Sequence, residues 1–138
     1  MATRYRTTAI NDDGGTGVSR VPGGLSVAVA NPLQDGHDPA AANPEQLLAL
    51  AWSTCLDATV QAIVRAERRS RVRVEVEMRD AVGRSGYEFV VTAFVSAQGL
   101  DEREAGELAA SAHDRCPVSR LLQGSPTVQV RGEDWREN

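Results

Sequence analysis

The clearest pattern along the chain is a run of alternating residues. Val72, Val74, Val76 and Met78 alternate with Arg71, Arg73, Glu75, Glu77 and Arg79. That two-residue period predicts a strand over 71–79 with one wet face. Asp80–Gly86 is turn chemistry, and Tyr87–Ala97 (Tyr87, Phe89, Val91, Ala93, Val95) reads as its antiparallel mate. Near the amino end, residues 4–10 are rich in β-formers and predict a short strand. A weak strand at 17–21 and a better, alternating one at 25–29 follow, separated by the Pro22-Gly23-Gly24 turn. Residues 31–42 carry Asn-Pro, Asp-Gly and Asp-Pro punctuation and predict a loop.

A different period begins at Asn43. Asn43 suits an N-cap, Pro44 the first helical position, and Gln46 a capping box, while Glu45 favours the helix dipole. Leu47–Leu56 has no charge, and Arg65–Arg69 closes the pattern. A helix apolar on all sides must be enclosed on all sides, and one small domain covers only one face easily, so a partner subunit is expected. Residues 101–113 predict an amphipathic helix with acidic early turns, and Cys116-Pro117 predicts a second helix start. Gly124-Ser125-Pro126 ends that helix, 127–131 alternates as a last strand, and 133–138 reads as a frayed tail. Strands, helix, two strands, helices and strand make an α+β fold with a mostly antiparallel sheet.

Length and composition narrow the function classes. With 138 residues the chain suits one domain, 1–138. A net charge of −4 argues against general nucleic-acid binding. No stretch reads as the roughly 18 apolar residues of a membrane span, so no membrane partner is expected. The opening Met-Ala-Thr-Arg-Tyr-Arg has no apolar core, so no secretory signal is expected and the location is read as cytoplasmic.

That leaves two cysteines, Cys55 and Cys116, with no Cys-x-x-Cys and only His37 and His113 to join them in a metal site. No metal is expected from such spacing. A permanent disulfide is unusual in a reducing compartment, so two unrelated buried thiols are one reading. The other starts from Pro117, which makes Cys116 a helix N-cap facing unpaired N–H groups that favour a thiolate. Cys55, inside the apolar helix, needs an imported cation before it can react.

Three segments carry a resemblance. Asn43-Pro44-Glu45-Gln46-Leu47-Leu48, Ala51-Trp52-Ser53-Thr54-Cys55 and Cys116-Pro117-Val118-Ser119-Arg120 occur in this order with long strands between. Together the chain resembles the OsmC/Ohr family of thiol-dependent peroxidases over essentially its whole length. The resemblance implies an OsmC-like fold with a long buried central helix, as an intertwined homodimer with two sites at the subunit interface. It implies Cys55 as the peroxidatic and Cys116 as the resolving cysteine, an organic hydroperoxide as substrate, and a dithiol such as a lipoyl group as reductant. No metal, flavin or other cofactor is implied.

Ten residues separate Glu45 from Cys55, about 15 Å of helical rise, so a Glu45 that positions the catalytic cation is expected to serve the partner subunit's Cys55. As a plain helix-start residue, Glu45 is equally accounted for. The family arginine has no counterpart in its usual turn. Gly14 falls at that position, and 31–42 offers only His37. Arg20, six positions on, is the nearest replacement; Arg4, Arg6 and His37 are weaker ones. Without such a cation, turnover should be poor. The alternatives are another thiol reductase on this fold, a dimer that binds a small molecule without peroxidase turnover, or a bare structural domain.

Overall fold

The structure is a computed structural model that describes residues 1–137. The chain divides into two compact units, with the boundary at Leu47–Leu48.

In the first unit, residues 1–9 are exposed and carry no regular structure. Strand β1 is only Ile10–Asn11, paired antiparallel with β2 (Val18–Arg20), which pairs in turn with β3 (Ser26–Ala28). The strand expected over 4–10 is thus confined to its last residue. Propensity alone does not hold a strand, and among the described residues none pairs with 4–9. The β1–β2 connection is a 3₁₀ turn, Gly14–Thr16, entered through Gly14 at φ 71°. The Asn11 side chain closes it, donating to the Gly14 carbonyl and accepting from the Gly14 N–H. The expected loop over 31–42 is present and is tied back to β3, where the Ala42 N–H donates to the Ala28 carbonyl.

Helix α1 (Pro44–Val64) carries the chain into the second unit. Asn43 caps it, its Oδ1 accepting from the Gln46 N–H at 2.9 Å. The helix stops at Val64, short of the basic run, because Arg65 and Ala66 both adopt φ 55°. That reversal is secured by side chains: Gln61 Nε2 donates to the Arg68 carbonyl, and the Ser70 hydroxyl donates to Asp57. Trp52, Leu56 and Val60 form the buried stripe, whereas Leu50, Ala51, Thr54, Ala58 and Ala62 are exposed. By length and composition α1 is apolar enough to cross a membrane, contrary to the sequence expectation. Ser53 and Thr54 are uncharged, and Glu45 and Asp57 are the only charges in the helix. The buried stripe of α1 lies in the core of the second unit.

The rest of that unit follows the pattern closely. β4 (Ser70–Asp80) and β5 (Tyr87–Ala97) pair antiparallel, Val74 opposite Ala93. α2 (Glu102–Arg115) begins with a complete Asp101/Glu104 capping box, and α3 (Pro117–Leu122) follows directly. β6 (Val128–Gly132) then pairs parallel to β5, Ala93 opposite Val130, giving a mixed sheet in the order β4-β5-β6. The fold is therefore α+β with two three-stranded sheets, the first antiparallel and the second mixed. Trp52, Leu56 and Val60 meet Val91, Ala93 and Val95 of β5 and Leu108 and Ala112 of α2 in one core. The expected frayed tail is anchored: Glu133 pairs with Arg73 at 2.9 Å, and the guanidiniums of Arg69 and Arg71 lie 5.4 and 5.0 Å from the Trp135 ring. Asn138 lies outside the described residues.

Candidate functional site

The second unit brings its two sulfurs together. Cys55 projects from α1 three residues after the buried Trp52, and Cys116 caps α3, whose first residue is Pro117. Their Sγ atoms lie 3.3 Å apart. That is a non-bonded contact, and both thiols are free. Closing it to the disulfide length of about 2.05 Å needs a movement of roughly 1.3 Å. The two sulfurs differ in access: Cys116 is fully buried, while Cys55 is partly exposed.

Their electrostatics differ too. Burial pushes the Cys55 thiol up; the Val118 backbone opposes it, and the neighbouring Cys116 adds to the rise. Burial also opposes ionisation of Cys116, but there it is outweighed. The Ser119 N–H and hydroxyl, Cys55 and the Val118 backbone together bring Cys116 below the ordinary thiol range. This is what the Pro117 N1 position dictates: the unpaired amides of the first turn of α3 point at the cap, and the Ser119 N–H reaches the Cys116 sulfur at 3.5 Å.

Trp52 and Ser119, present in the sequence reading only as parts of motifs, belong to this arrangement. Trp52 Nε1 donates to the Ser119 hydroxyl at 2.9 Å, and both residues are fully buried. His113 lies beside the Trp52 ring at 6.3 Å, its Nδ1 buried with no hydrogen-bond partner among the described residues. The signal was spacing: Trp52 stands three positions before one cysteine and Ser119 three after the other, each on its cysteine's helix face.

The remaining candidates lie in the first unit. Arg20 ends β2, and its guanidinium donates to Asp12 at 3.0 Å. Glu45 sits in the first turn of α1, half-buried, with Oε2 enclosed and without a hydrogen-bond partner among the described residues. Arg4, Arg6 and His37 are exposed. Among the described residues there is no group of three His, Cys, Asp or Glu side chains placed to hold a metal. What the second unit does provide is a dithiol with one accessible, poorly acidic sulfur and one buried, acidified sulfur.

Known proteins resemble the chain in sequence and fold. The profile of the family described as OsmC-like protein matches residues 36–131. The chain is 31% identical over 132 residues to an organic hydroperoxide resistance protein-like sequence of Mycoplasma pneumoniae, covering 89% of this chain and 90% of that one. It is 35% identical over 96 residues to the organic hydroperoxide resistance protein OhrA of Bacillus subtilis, covering 65% and 66%. Among solved structures, a protein of Lactobacillus casei superposes with a TM-score of 0.86 at 36% identity, over 99% of this chain and 96% of that one. An organic hydroperoxide resistance protein of Elizabethkingia anophelis gives 0.83 at 25% identity, over 99% and 100%.

Proposed function

The chain belongs to the OsmC-like protein family, and from that membership we propose that it is a thiol-dependent peroxidase that reduces organic hydroperoxides to alcohols. The observation that carries this reading is the 3.3 Å approach of Cys55 to Cys116. Two buried thiols kept only for packing need not meet, whereas a peroxidatic and a resolving sulfur must. The names of the relatives supply the substrate class.

The Cys55 thiolate attacks the peroxide O–O bond. One oxygen stays on sulfur as the sulfenic acid, and the other leaves with a proton as the alcohol. The Cys116 thiolate then displaces hydroxide from that sulfur; it departs as water, and a disulfide forms. An external dithiol returns both sulfurs to the reduced state. Exposure supports the order of roles, since a hydroperoxide can reach the partly exposed Cys55 but not the enclosed Cys116. The chemistry needs no metal or flavin.

A cation is required to ionise Cys55, whose burial opposes it. Arg20 is assigned that role, with Glu45 holding it. The buried and unpartnered Glu45 Oε2 supports a donor arriving from outside the described contacts. The chain accordingly works as one domain in a cytoplasmic, intertwined homodimer in which Glu45 serves the partner subunit's site. The exposed face of α1, with Leu50, Ala51, Thr54, Ala58 and Ala62, supports a second copy as its cover. A stable monomer in light scattering would contradict the dimer.

The reaction is tested by counting free thiols after mixing reduced protein with cumene hydroperoxide. Rapid loss of two thiols per chain is expected, with Cys55→Ser unreactive. Cys116→Ser should lose one thiol and accumulate a dimedone-reactive sulfenic acid. Slow and equal loss of both cysteines would discard the peroxidase in favour of a dimer that binds small molecules without turnover, a reading that the poorly acidic Cys55 favours.

A further inference from the structure

The oxidised site presents two sulfurs to a reductant, and the contacts of the reduced site differ sharply between them. Cys116 is fully enclosed and accepts from the Ser119 N–H, while Ser119 is itself held by Trp52 Nε1 at 2.9 Å. Cys55 reaches solvent; its carbonyl accepts from Thr59, and among the described residues its sulfur meets Cys116 and the Val118 backbone at the start of α3, without the Ser119 donors that hold Cys116. In thiol–disulfide exchange the attacked sulfur must be accessible, and the departing sulfur leaves faster the better its thiolate is stabilised.

We infer that the reductant attacks the Cys55 sulfur and that Cys116 departs as a thiolate into a cradle made by Ser119 and positioned by Trp52. This deepens the proposed function and rests on its disulfide. An external thiolate forms a bond to Cys55 Sγ as the Cys55–Cys116 bond breaks, and the electron pair leaves on Cys116. A second external thiolate attacks the outer sulfur of the resulting mixed disulfide. That step releases Cys55 as a thiolate and the reductant as its own disulfide, so two electrons enter and one protein disulfide is lost. Trp52 and Ser119 are positioning residues. The bond between them joins the turn of α1 before Cys55 to the first turn of α3 after Cys116, which fixes the leaving sulfur relative to the attacked one. The downward shift of Cys116, set by the Ser119 donors and Cys55 against its burial, agrees with this polarity.

The test uses full-length protein oxidised with diamide, so that it does not depend on peroxide reactivity. A limiting monothiol, N-acetylcysteine, is added, free thiols are trapped with iodoacetamide, and tryptic peptides are mapped. Cleavage after Arg115 and Arg120 separates the Cys116 peptide from the one that holds Cys55. The expected result is the N-acetylcysteine adduct on Cys55 and carbamidomethyl on Cys116, by at least about tenfold over the converse. An adduct mainly on Cys116, or shared equally, overturns the inference. If diamide forms no intramolecular disulfide, the function it rests on fails as well, and the two failures are told apart at that first step.

Ser119→Ala and Trp52→Phe test the cradle, with circular dichroism confirming the fold. In each, reduction by N-acetylcysteine should slow several-fold. In a Cys55→Ser background, thiolate absorbance at 240 nm should show Cys116 titrating at higher pH when either substitution is added. A merely structural role for the pair would leave that titration in place. An unchanged titration in the folded Ser119→Ala protein overturns the positioning assignment even if Trp52→Phe fails to fold.

Discussion

A β-carbon on Gly132 would collide with the backbone nitrogen of Gly106. It would also lie 2.5 Å from the Glu102 carbonyl oxygen and 2.6 Å from the Ala105 carbonyl carbon. Strand β6 and helix α2 therefore touch backbone to backbone at this point, and neither neighbour is a flexible side-chain end. The contact seats α2 on the sheet, and α2 leads directly into Cys116.

Gly132→Ala should accordingly destabilise the protein by about 2–3 kcal/mol or more, the usual cost of overpacking with no room to relax. Urea unfolding followed by circular dichroism measures it. A midpoint equal to that of the parent protein would show that β6 and α2 can separate without cost.

The tail makes a second prediction. Trp135 lies against the guanidiniums of Arg69 and Arg71, while Arg73 stacks over Phe94 at 4.1 Å and pairs with Glu133. Exposed cation–π contacts contribute about 0.5–1 kcal/mol each, so Trp135→Ala should cost about 1–2 kcal/mol. The Arg69–Glu137 pair is well exposed on both sides and should contribute little, so Glu137→Gln should be nearly silent. Unfolding curves for the two variants that coincide would contradict the aromatic anchor.

These two features also mark where sequence reading ran out. Local chemistry was legible: Asn43 and Cys116 cap the helices they were expected to cap, and the Val72–Met78 alternation appears as β4. What depended on distant partners was not. The parallel pairing of β6 with β5 is set by where α2 and α3 return the chain, which no pattern within 127–131 reveals. The tail looked frayed because its partners, Arg69, Arg71 and Arg73, lie some sixty positions upstream. Residues 4–9 had strand composition but, among the described residues, acquired no strand to pair with. Within the site, both sulfurs were identified from their motifs, whereas the Trp52–Ser119 bond, spanning 67 positions, was not.

Arg20 carries the third prediction. If its guanidinium supplies the cation for Cys55, Arg20→Ala should slow cumene hydroperoxide consumption at least about tenfold, the effect of removing one charge partner from a buried acid. Thiol loss under stopped flow gives the rate. Arg20 also pairs with Asp12, so Asp12→Asn is the matched control that removes the pair but keeps the cation. An unchanged rate in Arg20→Ala discards the assignment and returns the role to His37, Arg4 or Arg6.

The pH profile follows from the opposite shifts of the two thiols. Burial raises Cys55, so at neutral pH its thiolate fraction is smaller than that of a free cysteine. Only the thiolate attacks peroxide, so without a cation the oxidation rate should climb about tenfold per pH unit and level off only above the ordinary thiol range. Cys116 is shifted downward despite its burial, because the donors at the start of α3 outweigh that penalty. Disulfide closure should therefore be less limited by protonation than the first step, and less sulfenic acid should accumulate in the parent protein than in Cys116→Ser across pH 6 to 9. Replacing Arg20 should displace the oxidation profile toward higher pH without altering closure. Stopped-flow oxidation and dimedone trapping across that range measure the two steps separately. A sulfenic acid that builds up in the parent protein near pH 7 as far as in Cys116→Ser would mean that Cys116 is not held as the ready thiolate its contacts favour.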